Sequence, residues 1–181
     1  MKKNILYAFI TICLVITSCS KDEPDHVHEH ELMTTMTITL TSSDGSGNVT
    51  LQTQDLDGDG PNAPDITVSG NLKSGVLYNG AIVLLNETES PAENVTMEIE
   101  EEDKEHQFFY TAGSGLDITT EYLNFDSDGN PLGTKFSLIA RSAGSGLLTF
   151  TLRHEPKKPN SGLEDAGGGT DIEASFNVTV E

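Results

Sequence analysis

The chain has 181 residues and a formal net charge of -19, from 29 acidic against 10 basic side chains, with 35% hydrophobic residues and no Trp. This is the length of a single domain that can bury an ordinary core. An acidic excess of this size repels phosphate backbones and anionic lipid headgroups, and no basic patch offsets it, so nucleic acid is excluded as a partner.

Lys2 and Lys3 precede an apolar run from Ile5 to Val15, too short to span a bilayer as a mature helix and shaped like an export signal covering residues 1–18. Ile16, Thr17, Ser18 and Cys19 then resemble the lipobox of bacterial lipoproteins, in which the Cys is diacylated and becomes the new N-terminus. Ser20, Lys21, Asp22 and Glu23 resemble the surface-export signal of Bacteroidota lipoproteins. Together these resemblances imply a lipid anchor on Cys19, in the outer membrane and facing the cell exterior. An uncleaved N-terminal anchor with an incidental Cys is the competing reading. Cleavage before Cys19 removes Cys13, and lipidation uses Cys19, so the mature chain keeps no thiol for a disulfide, a thiolate metal site or cysteine catalysis.

Residues 19–31 are polar, contain Pro24 and lack apolar periodicity, which predicts a flexible acidic, His-rich tether. The folded domain, residues 32–181, begins with strand patterns. Met36, Ile38 and Leu40 alternate with threonines, and Val49, Leu51 and Thr53 continue the period of two after a Gly/Ser/Asp turn. The Gly/Pro/Asp-rich stretch up to Asp65 reads as a loop. Val76 to Asn86 reads as one unbroken strand, because Gly75 leaves too short an arm for a hairpin at Asn79 and Gly80. Ser90, Pro91, Ala92 and Glu93 predict a helix start, with Ala92, Val95 and Ile99 on one face. The rival there is a strand, since Val95, Met97 and Ile99 also alternate with polar residues.

Five more strands follow, at Gln107 to Thr111, Leu116 to Phe125, Lys135 to Arg141, Leu147 to His154 and Asp171 to Val180. The string from Ala112 to Leu116 recurs from Ala143 to Leu147, and both copies read as hairpin turns. About eight strands and one short helix predict an all-β fold, a single antiparallel β-sandwich of immunoglobulin-like architecture.

Four groups of residues could carry chemistry. His26, His28 and His30 are spaced by two, which puts three imidazoles on one side of an extended segment able to wrap a Zn or Cu ion; a plain polar spacer is the alternative. The acidic run from Glu98 to Glu105 ends at His106, and if it is helical Glu102 and His106 lie one turn apart and can face one ion, against the bland reading of a solvated acidic face. Asp55, Asp57 and Asp59 with Gly60 resemble the first half of EF-hand and thrombospondin type 3 calcium loops, but Ile66 stands where an EF-hand supplies its bidentate Glu, so simple Asp/Gly turn chemistry competes with Ca binding. Asp126, Asp128 and Asn130 form a shorter echo. His154 ends a buried strand face, where a hydrogen-bonded core histidine is the competing reading, and leads into a 16-residue stretch, Glu155 to Thr170, long enough to be a binding loop.

The chain contains no nucleophile elbow, zincin helix or phosphate-binding Gly-rich loop, and no Trp platform for sugars, so no enzymatic activity is expected. Stretches such as Glu31 to Thr35, Asp55 to Pro64, Leu84 to Glu89, Glu105 to Tyr110 and Leu152 to Pro156 resemble an uncharacterised family of flavobacterial lipoproteins. Some of these are labelled as having a type 1 periplasmic binding fold. That label implies a doubly wound α/β architecture, against the strand-rich pattern read from the residues, and the family brings no functional residue with it. Two functions remain. One is a surface protein that captures a divalent metal or metal complex for an outer-membrane transporter, through His26, His28 and His30 with Glu102, His106 or His154 as further ligands. The other is a structural or adhesive sandwich with calcium-stabilised Asp loops.

Overall fold

The alternation of apolar and polar residues that marks most of this chain produces strands, because successive side chains leave a strand on opposite faces and only one face need be buried. The computed structural model describes residues 32–58 and 60–181. Nine strands and two short helices lie among them: β1 (Thr35–Ser42), β2 (Asn48–Gln54), β3 (Asp65–Val68), β4 (Leu77–Leu85), α1 (Val95–Glu101), β5 (His106–Ala112), β6 (Asp117–Tyr122), β7 (Lys135–Ser142), β8 (Gly144–His154), α2 (Leu163–Ala166) and β9 (Gly169–Val180). They form a six-stranded sheet, in the order β3-β2-β1-β4-β7-β6, packed on a three-stranded sheet, β5-β8-β9, with every pairing of named strands antiparallel. This is the all-β sandwich the alternation predicts, and among the described residues there is no parallel doubly wound sheet.

Met36, Ile38, Leu40, Leu51, Tyr78, Leu84, Phe136 and Leu138 from the large sheet meet Phe108, Phe150, Leu152, Phe176 and Val178 from the small one, and all of these are essentially inaccessible. An aromatic row crosses the core from Tyr110 to Phe136 at 4.5 Å between centroids, then to Phe150 at 5.7 Å and Phe176 at 6.0 Å. Each such side chain stabilises the fold by about 1.5–3 kcal/mol through burial.

Four features differ from the sequence reading. β3 is a ninth, edge strand inside a region that carried no strand signal, because its residues are mostly exposed and show no alternation. The helix exists, but its cap is Asn94, whose side chain accepts from Thr96 N; Glu93 instead exchanges backbone hydrogen bonds with Asn86. α1 ends at Glu101, so Glu102 and His106 are not on a continuing helix. The two repeated strings are not hairpin turns. The first carries the chain from β5 in the small sheet to β6 in the large one, and the second returns it from β7 to β8.

These two corners pack on each other. Gly113 N donates to Leu147 O at 2.7 Å, a Cβ on Gly115 would overlap the Ser145 carbonyl oxygen, and one on Gly144 would overlap that of Gly115. Glycine is required there because backbone lies directly on backbone. Within β4, which runs unbroken as expected, Gly80 sits beneath the Phe136 ring, which a Cβ would penetrate.

Candidate metal centre

The start of β5, the end of β8 and the start of β9 converge at one end of the small sheet. His106 and His154 are directly opposite in the β5–β8 ladder, and their rings stack with centroids 4.9 Å apart at 29°. On the other side of β8 the β9 register slips: Leu152 pairs with Ile172 but Arg153 pairs with Thr170, so Asp171 is the extra residue of a bulge. Bulges re-aim side chains. Here the carboxylate comes to lie beside both histidines, with His106 Nε2 3.7 Å from one oxygen and His154 Nδ1 3.6 Å from the other. The His106 and Asp171 side chains are 0% and 4% exposed and that of His154 12%.

His106 Nδ1 lies 3.2 Å from the Glu102 carbonyl oxygen. A carbonyl can only accept, so Nδ1 carries the proton, and Nε2 of the neutral ring is the lone-pair nitrogen facing Asp171. Burial lowers the His106 pKa from the ordinary imidazole value, and the His154 ring works in the same direction. The Glu102 hydrogen bond and the charges of Asp171 and Glu102 oppose them without prevailing. The ring is therefore held in the form that coordinates metals.

These separations, each to a different Asp171 oxygen, are longer than the 2.7–3.2 Å of a hydrogen bond to a ring nitrogen. One atom each from His106, His154 and Asp171 lies within 4.8 Å of the others, close enough to share an ion.

A polar frame holds His106 from below. Lys158, whose side chain is only 6% exposed, donates from Nζ to the His106 carbonyl at 2.6 Å, the Asp103 carbonyl at 2.7 Å and Asp126 Oδ2 at 3.2 Å. Asp126 Oδ1 in turn accepts from the backbone of Asp128 and Asn130. Burial works to raise the Asp126 pKa, but the bonds from Asn130 and Lys158 outweigh it and keep the carboxyl below its usual range. The second Asp loop is thus turn chemistry organised around an ammonium. The stretch after His154 is pinned rather than open: beside Lys158, Asn160 Nδ2 donates to Gln107 Oε1, Lys157 pairs with Asp165, and Ala166 of α2 is buried.

Of the residues singled out in the sequence, the fold unites His106 and His154 and adds Asp171, which sequence reasoning missed. The Glu102 side chain is exposed, and Glu102 serves through its backbone carbonyl. In the first Asp loop, Asp57 Oδ2 accepts from the Asn62 side chain at 2.7 Å, and Asp55 N donates to Thr34 O. Asp59, His26, His28, His30 and Cys19 lie outside the described residues. Among the described residues no helix is long and apolar enough to cross a membrane. Compared with family models, curated proteins and solved structures, the chain matches none.

Proposed function

We propose that this protein is a lipid-anchored cell-surface binding protein that captures a transition-metal ion such as Zn²⁺ or Cu²⁺, or a complex of one, and presents it to an outer-membrane transporter. The observation that carries the reading is the gathering of His106, His154 and Asp171, with one possible ligand atom of each within 4.8 Å of the others. Two imidazoles and one carboxylate suit Zn²⁺ and Cu²⁺ better than Ca²⁺, which prefers six to eight oxygens. Three protein ligands leave a coordination position open, as capture and hand-over require.

The His tether fits the same reading. β1 begins at the end of the sandwich where β4 and β8 finish and β5 starts, because Thr35 pairs with Leu85 and Phe108 N donates to the Leu132 carbonyl just ahead of β7. The described chain, which starts at Leu32, therefore enters the domain at the pole that carries His106 and His154, and His26, His28 and His30 are kept in the proposal as further ligands. The Cys19 anchor and the export signal after it supply the location.

Titration calorimetry with Zn²⁺ on the purified protein tests the proposal. Asp171→Asn, which keeps the side chain's size, should weaken binding by about tenfold or more, and replacing His26, His28 and His30 by Ala should weaken it further without abolishing it. If the wild type binds neither Zn²⁺ nor Cu²⁺ while Ca²⁺ raises its melting temperature, the structural or adhesive reading, with calcium at Asp55, Asp57 and Asp59, replaces this one.

A further inference from the structure

The chain between His154 and Asp171 forms a strap, residues 155–168, whose two ends bend sharply side by side. Glu155 takes a φ of 49°, the one positive value at a non-glycine among the described residues, and Gly167 and Gly168 take 62° and 72°. Gly168 packs so closely on the other end that a Cβ there would overlap the His154 carbonyl. The strap therefore leaves and rejoins the sandwich at one narrow stem. Two of the three residues of the candidate centre, His154 and Asp171, flank that stem.

The third residue is held by the strap itself. Lys158 Nζ donates to the His106 and Asp103 carbonyls, which ties the middle of the strap to the start of β5. Beyond it, Asn160 Nδ2 donates to Gln107 Oε1, and residues 161–165 line a cleft of about 560 Å³ together with Thr111. Gln107, Phe109 and Thr151 alternate with the core residues Phe108 and Leu152, so they lie on the outer face of the small sheet, yet all three are buried. The strap crosses that face and shields them.

Resting on the metal-capture reading above, we infer that the strap is a latch on the centre: it opens about its stem as a unit, an ion held by His106, His154 and Asp171 keeps it shut, and opening it lets the ion go. Opening breaks the Lys158 bonds that hold the His106 backbone and loosens the stem that sets Asp171 beside His154, so the open molecule lacks the arrangement that binds. A ligand that binds only the closed form lowers the open population by the factor 1 + [L]/Kd. The linkage is reciprocal, and whatever holds the strap open weakens the hold on the ion to the same degree. Hand-over to a partner thereby has a release device within the fold, and its working uncovers Gln107, Phe109 and Thr151.

Amide hydrogen exchange followed by NMR on the intact protein, with and without Zn²⁺, tests the latch. The reporter amides are Lys157, which donates to Ala166 O, Ser161, which donates to the Asp165 carboxylate, and Ala166, which donates to Gly162 O. At free Zn²⁺ of about 100 times Kd their exchange should slow about a hundredfold. Ser46 in the β1–β2 turn, whose amide donates to Asp44, should change by less than about twofold. Asn160→Ala, which removes the bond to Gln107, should speed exchange of the reporter amides without metal and raise the Zn²⁺ dissociation rate about tenfold. Zn²⁺ bound in calorimetry with strap exchange unchanged, or with Ser46 slowed equally, overturns the latch and leaves metal capture standing. A dissociation rate in Asn160→Ala equal to that of the wild type overturns it as well. A wild type that takes up no Zn²⁺ defeats the capture reading itself.

Discussion

At His106 a single buried ring ties the proposed metal site to acid stability. Its folded pKa lies below the ordinary value because burial disfavours the imidazolium, so the unfolded chain binds that proton more readily than the folded one. The resulting contribution to stability is fully present above the unfolded pKa of about 6.5 and is lost as pH falls through the folded value. The groups facing the ring are Asp171, His154 and Glu102, with Lys158 on its carbonyl. Metal-free protein should therefore show a falling urea midpoint as pH is lowered from about 6.5 to 5, before most carboxylates titrate; a flat midpoint over that window would contradict the assignment. For the same reason Zn²⁺ should compete with protons more successfully here than at an exposed histidine, and its binding should persist somewhat below pH 6.5. Binding that depends mainly on the tether would instead fade at the ordinary histidine pKa.

At the scale of elements, the paired Gly-rich corners make the sharpest stability prediction. Gly115→Ala places a methyl group against the Ser145 carbonyl with no side chain to move aside. It should cost about 1–3 kcal/mol and lower the melting temperature by roughly 3–10 °C. Gly70→Ala, where a Cβ would meet nothing within 4 Å, is the matched control and should be neutral or slightly stabilising. Equal melting temperatures for the two variants would mean that the corners yield.

These corners also show what local pattern conveys and what it omits. β1, β2 and β4 were legible because each buries one face, and alternation records that. β3 was not, since an exposed edge of four residues leaves no period to read. The strings at Ala112 and Ala143 announce a reversal of the chain, but turn chemistry is the same whether the next strand joins the same sheet or the opposite one. Choosing between those outcomes takes the tertiary contact of one corner on the other. The candidate centre follows the same logic. His106 and His154 stood out as histidines at strand ends, but their meeting depends on the β5–β8 register, and Asp171 was one carboxylate among 29 acids until a bulge in β9 turned it inward.

For the whole molecule, the proposed anchor makes a cellular prediction. Cys19→Ala should move the protein from the membrane fraction to the soluble one. Protease added to intact cells should degrade the wild type, and protection of the entire pool would refute the outward-facing location.

The pole at which β1 begins has a consequence for orientation. A molecule suspended by its N-terminus hangs from that pole, and His106, His154 and Asp171 occupy it. With the proposed anchor on Cys19, the end proposed to coordinate would then point down toward the bilayer, while the glycine corners would form the crown exposed to the surroundings. An ion let go from a molecule held in that way would depart into the layer between domain and lipid, where embedded proteins are its nearest neighbours and bulk water is the longer route.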